Sequence, residues 1–106
     1  MNTLTLTTNP TIQSIEINDE VLVLSLHDGR VVSVPIVWYP RLAYARPGDR
    51  LKWQLIGQGH GIHWPALDED ISVENVLQGM PSGEGSKSFK KWLDWYNSKD
   101  AQPIET

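Results

Sequence analysis

Val21-Leu22-Val23-Leu24-Ser25-Leu26-His27-Asp28-Gly29-Arg30-Val31-Val32-Ser33-Val34-Pro35 is the stretch that decides the fold. Its two arms are rich in β-branched and aliphatic residues, which suit a pleated, half-buried surface. Asp28-Gly29 between two apolar runs is the strongest short-range signal for a β-hairpin. The first arm is almost continuously apolar and is predicted to be a central strand. Pro35 lacks an N–H, so it must end its strand or lie at an edge.

Upstream, Ser14-Ile15-Glu16-Ile17 alternates and predicts a short strand, with Asn18-Asp19-Glu20 as the turn between. Downstream, Pro40 can open a helix that Arg41 to Ala45 continues, and Pro47 begins another turn. Trp53 to Ile56 fits a strand or extended segment running into alternating glycines at 57, 59 and 61. Gly61-Ile62-His63-Trp64-Pro65-Ala66-Leu67-Asp68-Glu69-Asp70 then reads as a shaped loop with an acidic exit. In that reading Trp64 and Leu67 are buried, the Trp64 N–H finds a carbonyl, and the acids are displayed. Ser72 is a suitable N-cap for a helix over Val73 to Gln78, with Gly79 as the stop. Ser86 caps a last helix, Lys87 to about Ser98. On it Phe89, Trp92, Leu93 and Tyr96 fall at i, i+3, i+4 and i+7, and Trp95 lies off that stripe.

These elements predict an α+β fold: a small antiparallel sheet with a β-hairpin, covered on one face by short helices and an aromatic C-terminal helix. One domain over residues 12–98 is expected. Residues 1–11 form a flexible N-terminal segment and residues 99–106 a flexible tail. The polar, Thr-rich N-terminus lacks the basic and apolar regions of a signal peptide, and no apolar run is of membrane-spanning length. Cytoplasmic placement is the expectation. The absence of cysteine excludes disulfides and thiolate chemistry.

The formal charge of −4 disfavours non-specific nucleic-acid binding, but it is unevenly spread. Arg30, Arg41, Arg46, Arg50 and Lys52 cluster against Asp49 alone, and Asp68, Glu69, Asp70, Glu74 and Glu84 follow with no base before Lys87. No catalytic constellation emerges. Serines lack a G-x-S-x-G setting, and Gly57 to Gly61 lacks the G-K-[ST] ending of a phosphate loop. His60 and His63 are not in a zincin pattern, so local hydrogen bonding of His63 outweighs a metal site. No metal, cofactor or catalytic residue is assigned. Trp38 is expected in the core, with Arg41 paired to an acid such as Asp68 or Asp70.

Asp28-Gly29-Arg30, Trp38-Tyr39-Pro40-Arg41-Leu42, Gly61-Ile62-His63-Trp64-Pro65 and Leu67-Asp68-Glu69-Asp70 together resemble the signatures of the bacterial family known as domain of unknown function 2442. Their order and spacing match from about Ile12 to Leu77. Pro81-Ser82-Gly83 and the basic-aromatic helix resemble a C-terminal extension often seen there. The resemblance implies a small α+β domain. Some members carry a helix-turn-helix after it, and others are encoded beside a second small protein in pairs that look like toxin–antitoxin modules. No catalytic residue carries over. This chain has room for one good helix after Leu77, fewer than a helix-turn-helix needs.

The expected function is therefore a non-enzymatic protein-interaction module, antitoxin-like or the regulatory partner in a two-protein system. Its anchors are Trp95, Tyr96, Asp68, Glu69 and Asp70, and its partner is another small protein of basic character. A homodimer through the last helix stays open. The alternative is a nucleic-acid-binding transcriptional regulator, with Arg41, Arg46, Arg50 and Lys52 as one basic face helped by Lys87, Lys90 and Lys91.

Overall fold

In the computed structural model, which describes residues 10–101, the hairpin stands where the sequence puts it. Strands β1 (Ile12–Ile17), β2 (Val21–Leu26) and β3 (Val31–Pro35) form an antiparallel sheet in the order β1-β2-β3. The apolar arm is the central strand. Leu22, Leu24 and Leu26 are buried, and Val21, Val23 and Ser25 face the half-exposed side. At the turn, Gly29 adopts φ 96°, open to it for lack of a Cβ. The Asp28 carboxylate accepts from the Arg30 backbone N–H at 3.0 Å and from its Nε at 2.9 Å. Pro35 closes β3 at the sheet edge, paired with Val21. The first strand begins at Ile12, two residues earlier than the alternation suggested. It carries a bulge between Ile12 and Ser14, which broke the pattern. Thr11, assigned from sequence to a flexible segment, is tied down. Its carbonyl accepts from the His27 N–H at 2.9 Å, and its hydroxyl meets His27 Nδ1 at 2.9 Å. The rest of that segment, residues 1–9, lies outside the described residues.

After a 3-10 turn at Ile36–Trp38 come two one-turn helices, α1 (Pro40–Ala43) and α2 (Pro47–Arg50), each with proline at its first position. A second antiparallel sheet follows, built from β4 (Gln54–Ile56), β5 (Gly61–Trp64) and β6 (Glu69–Ser72), with β5 central. The α+β fold read from the sequence is present, with two small sheets where one was expected, and residues 61–70, expected as a shaped loop, supply two strands of the second. Ile62 and Trp64 alternate inward and are buried, a period-2 pattern too short to stand out. Gly61 sits at a close approach: a Cβ there would lie 3.2 Å from Ile56 Cγ1 and 3.3 Å from the Ile71 carbonyl oxygen, so both neighbours would have to shift by a few tenths of an ångström. The bend between β5 and β6 is a 3-10 turn at Pro65–Leu67, ended by Asp68 in the left-handed region at φ 52°.

Helix α3 (Val73–Leu77) is capped as the sequence indicates, Ser72 Oγ accepting from the Asn75 N–H at 3.1 Å. Helix α4 (Ser86–Ala101) continues past Ser98, through the start of the segment read as a loose tail. Residues 102–106 lie outside the described residues. One core unites both sheets and α4. It includes Leu22, Leu24, Leu42, Ile62, Trp64 and Leu67, and Trp38 is only partly buried against it. No helix among the described residues is long and apolar enough to cross a membrane.

Candidate functional site

The aromatic stripe of α4 faces its own domain. Phe89 and Trp92 stack at 5.6 Å and Trp92 and Tyr96 at 4.8 Å, with Tyr44 edge-on to Phe89 at 5.0 Å. Trp92 Nε1 donates to the Leu67 carbonyl at 2.7 Å. Tyr96 accepts from the Arg46 N–H at 2.9 Å and donates to Asp49 Oδ2 at 2.6 Å. These bonds correct the assignment of Tyr96 as a partner anchor. It is only 2% exposed and fixes α4 to the α1–α2 connection. Trp95, off the stripe, is 44% exposed, with Lys99 Nζ 4.4 Å from its ring.

The basic face read from sequence does not form. Arg50 is buried, donating to the Leu42 and Ala43 carbonyls at 2.8 and 3.1 Å. Arg46 lies over the Tyr96 ring at 4.2 Å and pairs with Asp49 at 3.1 Å. Arg41 is held by Glu84, with Nε and Nη2 donating to its carboxylate at 2.9 and 2.6 Å. Lys52 alone of the four stays fully at the surface. Charged side chains adjacent in sequence are here used as caps and clamps within short helices, a role composition cannot separate from a solvated patch.

Arg41 is the hub of what does form. Besides Glu84, its Nη1 donates to the Asp68 carbonyl at 2.8 Å and lies 3.7 Å from the Asp68 carboxylate. The expected pairing with Asp68 is thus present, but Glu84 is the main partner. Its signal in the sequence was faint: one acid in the loop before a basic helix. The ion pair holds Glu84 below the ordinary carboxylate range and raises Arg41 further.

Around this hub the three acids part company. Asp68 borders an open groove of about 780 Å³ with Arg41, Lys87, Lys91, Trp92 and Trp95. Glu69 and Asp70 line a smaller pocket of about 190 Å³ on another side, with Tyr39, Asn75 and Ser82. Asp70 also meets His63 Nδ1 at 2.5 Å, the local bond expected of that imidazole. His60 bonds the Gly57 carbonyl at 3.0 Å instead, so the two histidines serve separate turns. Among the described residues no group of three or more His, Cys, Asp or Glu is placed to hold a metal. Glu69, expected to be displayed with its neighbours, is half-buried, because its backbone sits in β6 beside Trp64 of β5.

Burial pushes the Glu69 carboxyl up from 4.5 to about 7, with Glu84 and Asp70 adding to the rise and Arg41 opposing it. The folded state therefore holds a proton that the unfolded chain has lost. That stabilisation is full below about pH 4.5 and disappears as pH rises through about 7. Glu69→Gln should remove this slope and stabilise the protein at alkaline pH by ~2 kcal/mol, after allowance for solvent screening. Urea unfolding of both proteins across the range measures it. Parallel pH profiles would show that Glu69 is hydrated normally.

The Arg41 hub, the groove and the pocket can now be set beside known proteins. The fold is similar to the crystal structure of a protein of unknown function from Rhodospirillum rubrum, at TM-score 0.64 and 22% identity, over 73% of this chain and 95% of that one. It is also similar to the solution structure of an uncharacterized protein from Chromobacterium violaceum, at TM-score 0.61 and 20% identity, over 83% and 80%. At such identities the likeness concerns the fold alone. No curated protein matches the chain. The model of the family described as "Protein of unknown function (DUF2442)" matches residues 12–82, from the first strand to the loop after α3, which leaves Glu84 and α4 beyond the match. Matched over more than half its length, with both sheets inside the match, the chain belongs to the DUF2442 family.

Proposed function

We propose that the protein is a non-enzymatic protein-interaction module, the antitoxin-like or regulatory half of a two-protein bacterial system, and that it docks its partner through the groove on α4. The observation that carries this reading is Trp95. Every other aromatic side chain of that helix is at least partly buried against the domain, whereas Trp95 stands 44% exposed at the edge of an open groove. Interface hot spots are enriched in tryptophan, tyrosine and arginine at the centre of a desolvated contact. Arg41 is neutralised by Glu84, so Lys87 and Lys91 stand against Asp68 in the groove, and this small positive excess favours an acidic segment rather than the basic partner inferred from composition. A basic partner would meet Glu69 and Asp70 on the other side.

Trp95→Ala should leave stability within ~1 kcal/mol, because much of the ring is already in solvent, and should weaken partner capture by at least ~30-fold. Affinity capture from the native cell at near-physiological salt, with the variant as control, is the test. Capture unchanged by the substitution, or no partner at all, overturns the reading.

A second reading has its own observation: lysines flanking an exposed indole also suit a single-stranded nucleic acid, with a base on Trp95 and phosphates on Lys87 and Lys91. Its affinity for a random oligonucleotide would fall steeply with salt. No binding at low salt removes it.

A further inference from the structure

We propose that two copies of the chain pair antiparallel along the free edge of β3, joining their first sheets into one. No residue of α4 or of its groove takes part, so the proposal does not depend on the docking reading.

The hydrogen-bond phase of the hairpin decides which backbone groups are free. The Leu26 N–H donates to the Arg30 carbonyl at 2.9 Å, and the Ile36 N–H donates to the Glu20 carbonyl at 2.9 Å. Both bonds continue the register of β2 and β3, in which Leu24 faces Val32 and Leu22 faces Val34. Hydrogen-bonded pairs alternate along an antiparallel ladder. Arg30, Val32, Val34 and Ile36 therefore turn their backbone groups toward β2, while Val31, Ser33 and Pro35 turn theirs away from it. Pro35 has no N–H, and as N-cap of the turn Ile36–Trp38 its carbonyl accepts within that turn. What stays open is the N–H and C=O of Val31 and of Ser33. Strand β3 ends its sheet, and both residues are exposed, Val31 at 66%.

An open row of this kind is a template for another strand. The other sheet edges among the described residues are guarded. Strand β1 carries a bulge and the exposed Glu16. Strand β4 is only three residues long. Strand β6 carries Glu69 and Asp70. From Val31 to Pro35 there is neither a charge nor a bulge.

A second copy fits this edge. A two-fold axis at Val32 sets Val31 opposite Ser33 of the other copy, and Ser33 opposite the other Val31. Each free N–H then meets a free C=O, and every open group of both edges is used. Moving the axis to Ser33 would set Val31 against Pro35, whose N–H is missing and whose carbonyl is taken. With the axis at Val32, that valine lies opposite its own copy as a non-hydrogen-bonded pair, the closer kind. Two β-branched side chains, each half-buried against its own core, meet there. No like charges face each other along the seam, whereas self-pairing of β6 would set acids beside acids. Two short edges joined in this way cover less than about 1,200 Å², the range of weak and transient contacts. The dissociation constant should therefore lie above ~1 µM.

Sedimentation equilibrium of the whole chain between about 5 µM and about 500 µM is the test. The mean mass should climb from 12.0 kDa toward twice that value. Amide hydrogen exchange at Val31 and Ser33 should slow at least ~3-fold from the dilute to the concentrated sample. Ser33→Pro removes an N–H that β2 does not use, so the monomer keeps its sheet, and dimerisation should weaken at least ~10-fold. Val31→Lys, which places a charge on the edge, should do the same, and it decides alone if the proline variant does not fold. Trp95→Ala should dimerise as wild type. A chain that stays monomeric throughout overturns the proposal. So does a dimer that survives the edge substitutions or is lost with Trp95→Ala. A monomer whose β3 amides become protected only on capture of a cellular partner gives the edge to that partner, and overturns it too.

Discussion

Trp64→Ala is expected to destabilise the protein by ~3–5 kcal/mol, the cost of a large cavity in a small core. The indole is fully buried in the central strand of the second sheet. Its Nε1 donates to the Arg50 carbonyl at 2.9 Å, linking that sheet to the end of α2. For a domain of this size the melting temperature should drop by roughly 15–30 °C. Trp64→Phe separates the two contributions. It restores most of the volume but leaves the Arg50 carbonyl unpaired, and should cost ~1–3 kcal/mol. Urea unfolding followed by far-ultraviolet circular dichroism measures both without relying on the deleted fluorophore. A loss below ~1 kcal/mol for the alanine variant would contradict the burial of Trp64.

Arg50→Met should cost ~2–4 kcal/mol, the second large effect. The Arg50 guanidinium is buried and donates to the Leu42 and Ala43 carbonyls, satisfying the C-terminal end of the one-turn helix α1. Methionine keeps most of the aliphatic volume but removes the Arg50 donor from the Ala43 carbonyl and leaves the Leu42 carbonyl with the Ala45 N–H at 3.2 Å. Arg50→Lys should recover only part of the loss, because one ammonium cannot reproduce the fork that reaches two adjacent carbonyls. The same denaturation experiment applies. If Arg50→Met is neutral while nucleic-acid binding falls, Arg50 acts as a surface cation and its placement here is wrong.

Much of the fold is legible in the sequence. The hairpin, its central strand, the edge position of Pro35, the Ser72 cap and the apolar stripe of α4 are local matters. Turn chemistry, β-branching and helical periodicity set them over a few residues each. Burial of Trp64 and Leu67 was also legible, because Pro65 between them restricts the backbone on both sides and shapes the turn. The β5–β6 hairpin escaped notice. Its strands are only four residues long, and its turn is built by Pro65 and a left-handed Asp68 rather than by a glycine pair.

The candidate sites divide along the same line. Sequence alone fixed which chemical groups are present: an extra tryptophan off the α4 stripe, three consecutive acids, a run of arginines and no cysteine. Tertiary structure decided what each one faces. It buried Tyr96 and Arg50 as connectors and joined Arg41 to Glu84 across 43 residues. It sent Asp68 to one cavity and Glu69 to another. The reason is the range of the forces. Propensity and capping act within a turn or two of chain. Desolvation and ion pairing depend on which surfaces the core brings together, and no spacing in the sequence encodes that distance.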